Sequence, residues 1–259
     1  MRFRVTSLML FFVLALASLA QTAPTPKIAD VSTDPHCKLI FQNEFTRVYM
    51  LNLAKGELSQ FTLPNSFIRV SIDEASVALS ADKSSGPVYV KKGAADFFEK
   101  GDEQYLENRG DGRYRAVYVE VLKGKLVRRV PNGLPVLGQL PPSAASVDAD
   151  PLDLGPVTEI GYAIPPGEFT KWHSHKYPHL VVAVSDLELL SETKEKKPLE
   201  FEMKDGEVKW VSASAVEHRI GNAEKAQPED RRKKLEREAE GEVGEDNEGA
   251  ATFYAIEFK

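Results

Sequence analysis

The sequence predicts an all-β protein made of two similar antiparallel β-barrels joined by a proline-rich linker. Three observations carry that prediction: short β-branched and aromatic runs separated by turn residues, no long helix-period stretch in the first half, and a repeat relating the two halves.

The N-terminus comes first. MRFRVTSLMLFFVLALASLAQ has arginines at positions 2 and 4, an uncharged apolar run from Val5 to Ala20, and Ser18-Leu19-Ala20 as a small-x-small cleavage site. This layout predicts a secretory signal peptide over 1–20; the alternative is a retained membrane anchor, for which the run is somewhat short. Cleavage leaves 31 Lys/Arg, since two of the 33 are removed, against 39 Asp/Glu, a net charge of −8. The expected location is periplasmic or secreted, with no stable membrane anchor after cleavage. The acidic balance and the lack of a basic patch argue against a nucleic-acid partner.

Residues 21–35 carry three prolines and read as an N-terminal tether. Cys37 is the only cysteine, so an exported chain must rely on its core and not on an internal disulfide. It reads as a small half-buried residue at a strand start. His36, beside the tether, reads as a solvated side chain.

The first barrel is expected over 36–129. Its strand candidates include Arg47–Leu51, Phe67–Val70, Val88–Val90 and Tyr114–Val119, several with period-2 alternation. Residues 130–156 hold six prolines in 27 positions and read as an extended linker. Strand patterns resume over 157–259 at Thr158–Tyr162, Leu180–Val184, Val208–Val211 and Ala251–Phe258. Many short strands of this kind suit sandwiches or barrels.

Segments 53–73 and 164–184 align, with Gly56-Glu57 opposite Gly167-Glu168, and 92–108 aligns with 205–222. A repeat of domain length implies duplication, hence two similar barrels. The segment 224–248, with six Lys/Arg and ten Asp/Glu, falls outside the repeat. It reads as a solvated insertion, the alternative being a docking loop.

Four of the five histidines fall in the second half: His173, His175, His179 and His218. On an extended chain His173 and His175 point to one face. Tyr177-Pro178 can turn the chain toward the next strand, bringing His179 near, and a barrel would bring His218 alongside. Four neutral imidazoles suit one divalent transition metal, Fe, Mn, Ni, Cu or Zn, better than calcium or magnesium. Trp172 and Tyr177 flank these residues and are candidate pocket walls; Glu168 reads as a turn residue.

Pro166-Gly167-Glu168…His173-x-His175-x-x-x-His179 resembles the first motif of the cupin superfamily, and Gly206…His218-x-x-x-Asn222 resembles the second. The resemblance spans both halves and implies two small antiparallel barrels with a metal in the mouth of the second. It departs from the pattern at His179, where a glutamate is usual, which implies either a four-histidine site or a three-histidine one with His179 behind the ligands; it also departs at Ser212 and Ser214, where proline and glycine are usual, and in the one-residue lateness of His218. At the positions matching the four histidines the first half has Thr62, Pro64, Ile68 and Tyr105, so a barrel without metal ligands is expected there.

The resemblance implies a metal-dependent oxygenase, oxidase or isomerase acting on a small organic molecule, or a non-catalytic protein binding a metal or small ligand in the cell envelope. It also implies a homodimer, since members often pair through barrel faces. No residue in these motifs declares itself as a general base.

Overall fold

The computed structural model describes residues 29–80, 86–124, 152–223 and 249–259. The first half contains β1 (Ala29–Asp30), β2 (Cys37–Gln42), β3 (Thr46–Leu53), β4 (Leu58–Thr62) and β5 (Phe67–Ser71). It continues with β6 (Ala75–Ala78), β7 (Val88–Val90), β8 (Ala95–Phe98), β9 (Glu103–Asn108) and β10 (Tyr114–Val121). The second half contains β11 (Leu152–Asp153), β12 (Val157–Ile164), β13 (His173–His175), β14 (His179–Ala183) and β15 (Leu187–Thr193). It ends with β16 (Leu199–Met203), β17 (Val208–Val211), β18 (Ser214–Asn222) and β19 (Ala251–Phe258).

Each half is a two-sheet barrel. The first is built from the orders β1-β4-β9-β6-β7 and β2-β3-β10-β5-β8, the second from β11-β12-β19-β14-β17 and β13-β18-β15-β16. All pairs are antiparallel except β1 with β4. The predicted all-β, two-barrel class is the fold observed.

Strand alternation explains how the halves join. Tyr49, Leu51, Phe67, Tyr114 and Tyr118 face the first barrel's interior, whereas Val48, Ile68, Val70, Val117 and Val119 face away from it. The second set packs against Leu180, Val182, Tyr254, Ile256 and Phe258 of the second barrel in one shared core. Phe253, Ala255, Val181 and Ala183 point the other way, into the second barrel. The sheet between the two cores is buried on both faces, so every residue of β5 is buried.

Specific contacts reinforce this seam. Arg115 pairs with Asp73 of its own barrel at 2.6 Å and with Asp205 of the other at 2.8 Å. The Tyr254 hydroxyl donates to the Gly93 carbonyl at 2.7 Å. Trp210 stacks with Phe41 and Phe45. Gly206 has φ of 79°, and an added Cβ would come within 2.9 Å of Met50 Cε from the first barrel. The left-handed turn favours glycine there, and the flexible end of Met50 packs against it.

The repeat is visible in the hydrogen bonds. Gly56 N–H donates to the Asn108 carbonyl, and Gly167 N–H to the Asn222 carbonyl. The buried Asn108 amide donates to the Leu53 and Gly112 carbonyls, as the buried Asn222 amide does to those of Ile164 and Gly249. Val121 N–H donates to the Ser66 carbonyl and Phe258 N–H to that of Pro178. These pairs place Phe67 opposite His179, Gln104 opposite His218, and Glu120 opposite Glu257.

That alignment corrects the sequence matching by one residue at two positions. Ile68 faces the inter-barrel core, and the side chain at the matched interior position is Phe67. The partner of His218 is the buried Gln104, not Tyr105. A one-residue slip on a strand exchanges its faces. The conclusion drawn from the comparison is unchanged, because neither phenylalanine nor glutamine supplies an imidazole.

Both predicted connectors end inside the fold. At the end of 21–35, β1 pairs with β4 and Val31 is buried in the first barrel's core. At the end of 130–156, β11 pairs with β12 and Leu154, 2% exposed, enters the shared core. Proline content does not reveal a single apolar anchor. His36 is half-buried, its Nδ1 3.5 Å from Glu57. Cys37 is half-buried as expected, and burial pushes its thiol up to about 12. The signal segment 1–20 and the charged insertion 224–248 lie outside the described residues.

Candidate metal centre

The four histidines reach one region from three strands. Thr170 anchors the approach: its N–H donates to the Ile220 carbonyl at 2.7 Å, and its Oγ1 accepts from Ile220 N–H at 2.8 Å. The chain then enters β13, where His173 pairs with His218 of β18 and His175 pairs with Ser214. A step of two residues on β13 is thus matched by a step of four on β18, and the irregularity lies between His173 and His175.

Ring nitrogens of His173, His175 and His218 all lie within 4.8 Å of one another. Ring centroids are 4.5 Å apart for His173–His218, 5.0 Å for His173–His175 and 5.2 Å for His175–His218. His179 is outside this set. It starts β14, and its ring packs on His175 at 4.1 Å between centroids. Three rings thus converge and the fourth packs behind one of them, the second of the two arrangements that the sequence left open.

Hydrogen bonds fix the tautomers. Nδ1 of His173 lies 2.8 Å from the Lys171 carbonyl, and Nδ1 of His218 lies 3.3 Å from the Val216 carbonyl. A carbonyl only accepts, so each Nδ1 carries the proton and each Nε2 keeps a lone pair. Nδ1 of His175 lies 2.6 Å from Oε1 of Glu257 and likewise donates. Glu257 orients His175 as a carboxylate behind a metal-binding imidazole would. The buried Nδ1 of His179 has no well-formed hydrogen bond.

Burial depresses the pKa of His173 and of His218. Burial, then the neighbouring His175, lowers His179 to about 4. These rings are neutral at physiological pH, which is the state that binds a transition metal.

The rings open onto a cavity of about 400 Å³ whose walls include Tyr162, Val181, Phe201, Val211 and Phe253. Larger side chains fill the corresponding part of the first barrel. There Tyr118 packs between Phe61 and Phe67, and Arg69 pairs with Asp96 over the Phe98 ring. The second barrel has Ala255 and Val181 opposite Tyr118 and Arg69, which leaves the interior open.

Trp172 and Tyr177, predicted as pocket residues, do not line the cavity; each is 39% exposed. Trp172 precedes β13 and lies under Arg219 at 5.2 Å, outside the barrel, while Tyr177 is in the turn between β13 and β14. Glu168 sits in a turn, its N–H donating to the Pro165 carbonyl. Sequence reading missed Glu257 and Lys209, which lie outside the histidine motifs. The available signal was a charged residue at an inward position of an otherwise apolar strand.

No protein-family profile and no curated protein matches the chain. Among solved structures, AerE from Microcystis aeruginosa aligns with a TM-score of 0.54 at 11% identity, covering 88% of this chain and 94% of its own. A cupin 2 conserved barrel domain protein from Leptotrichia buccalis aligns with a TM-score of 0.45 at 14% identity, over 86% of this chain and 88% of its own. An oxalate decarboxylase of Bacillus subtilis aligns with a TM-score of 0.47 at 12% identity, over 89% and 76% respectively. With its two antiparallel barrels, duplicated turns and shared inter-barrel core, the chain has a two-barrel fold like that of AerE.

Proposed function

We propose that the second barrel binds one divalent transition metal, Fe, Mn, Ni, Cu or Zn, through His173, His175 and His218, and acts on a small organic molecule in the adjoining cavity. One observation carries this reading: three imidazoles, each with its Nδ1 proton committed to an oxygen, converge beside a cavity. Core-filling histidines have no reason to share that arrangement.

When bound, such an ion polarises a substrate oxygen or activates molecular oxygen at an open position, consistent with oxygenase, oxidase or isomerase chemistry. The residues of the chain do the rest. Glu257 holds the His175 ring in register, the Lys171 and Val216 carbonyls hold the other two, and His179 keeps a neutral ring beside them. Val181, Val211 and Phe253 exclude water from the cavity wall.

Metal analysis of purified protein tests the reading. The expected content is one ion per chain, lost in His173→Ala; metal absent from both, or equal in both, would sink it.

A second reading, a non-catalytic binder of a metal or small ligand, rests on the nearest carboxylate. Glu257 is engaged with His175 and is not placed as a free base. Metal-loaded protein without oxygen uptake or turnover over a broad substrate panel would favour this alternative. We further propose export, supported by Arg2, Arg4, the apolar run and the Ser18-Leu19-Ala20 site. N-terminal sequencing of secreted or periplasmic protein should begin at Gln21.

A further inference from the structure

The cavity has a second chemical end. Lys209 is an exposed residue of β17 that lines the open side of the cavity together with Val211, two residues along the same strand face. The pairing sets Val211 beside His179 and Lys209 beside Val181. The ammonium-bearing residue is thus one strand repeat, roughly 7 Å, farther from the histidines. Its Nζ lies 4.1 Å from the centroid of the Phe201 ring. Lys209 forms no ion pair among the described residues, and Glu200 at the rim makes none with it. The wall is mostly apolar, with Val181, Leu189, Phe201, Val211 and Phe253, and carries the hydroxyls of Ser191, Thr193, Ser212 and Ser214.

We propose that the cavity takes a monocarboxylate with an apolar body, its carboxylate held by Lys209 and an oxygen at its far end directed at the histidines. The proposal rests on the metal reading for that far end only. A cation above an aromatic ring, with no acidic partner, is an anion site at low desolvation cost. The apolar wall selects a hydrocarbon or aromatic middle. A two-carbon dicarboxylate such as oxalate is too short to reach both ends and leaves the apolar wall uncovered.

Calorimetric titration of the purified full-length chain, with manganese and without it, tests this. The probes are phloretate, which carries a carboxylate and a phenol oxygen at opposite ends of an apolar body, phloretamide, which lacks the charge, and oxalate, which lacks the body. Phloretate should bind at least about tenfold more tightly than either of the others. In Lys209→Met, which keeps the apolar stem, phloretate should weaken to the level of phloretamide, with phloretamide binding, metal content and thermal unfolding unchanged. Equal binding of oxalate, an unchanged acid-to-amide ratio in the variant, or no phloretate binding by the intact protein would each overturn the proposal. The metal-free arm separates the two readings. Absence of metal uptake with a persisting, Lys209-dependent acid preference removes the metal centre and leaves the anion site.

Discussion

His175 on β13 donates its Nδ1 proton to Oε1 of Glu257 on β19 across 2.6 Å, joining the two sheets of the second barrel. The bond fixes the ring's tautomer and its rotation together. Removing the carboxylate should therefore weaken metal binding without removing a ligand. Glu257→Ala is expected to lower metal affinity by about 10–100-fold, measured by chelator competition. Glu257→Gln, which can still accept through its amide oxygen, should lose less. Equal affinity in wild type and Glu257→Ala would show that the pair does not support the site.

Metal should also stabilise the fold, because only the folded chain assembles the three rings. At free metal about 100 times the dissociation constant the gain is about 2.7 kcal/mol. A chelator should lower the melting temperature of wild type and leave that of His218→Ala unmoved. Stoichiometry should be one ion per chain, since Phe67 and Gln104 occupy the first barrel where His179 and His218 occupy the second.

The seam between the barrels should make stability depend on pH. Glu159 is buried there, and burial, with repulsion from Asp96 adding to it, pushes its carboxyl up to about 7. Below pH about 4.5 the folded and unfolded chains are both protonated at this residue, so it contributes no difference. Between there and about 7 the folded chain keeps a proton that the unfolded chain has lost, so stability falls as pH rises. Glu159→Gln should abolish this fall and be more stable than wild type above pH 7, by on the order of 2–3 kcal/mol. Urea unfolding at a series of pH values reads it directly; an identical slope in both proteins would exclude Glu159 as the source.

Leu154 tests whether the end of the proline-rich segment is structural. It sits at 2% exposure in the core shared by both barrels. Leu154→Ala should cost about 2–5 kcal/mol in chemical unfolding. A cost under about 0.5 kcal/mol would mean that the segment is a plain connector.

Much of this molecule was legible in the chain itself. Period-2 runs such as Tyr114–Val119 defined strands, and the paired Gly56-Glu57 and Gly167-Glu168 turns announced the duplication. His173 and His175 shared a strand face by simple alternation. These features are local, because the conformational period of a strand is written directly into neighbouring residues. What tertiary structure decided was which distant groups meet. It set His179 behind His175 and outside the convergent set, brought Glu257 from the last strand to His175, and turned Trp172 and Tyr177 away from the cavity. It also drew Leu154 into the seam and exchanged the faces of Ile68 and Phe67. Barrel closure and the β18 bulge fix those relations, and neither leaves a mark in any short window of sequence.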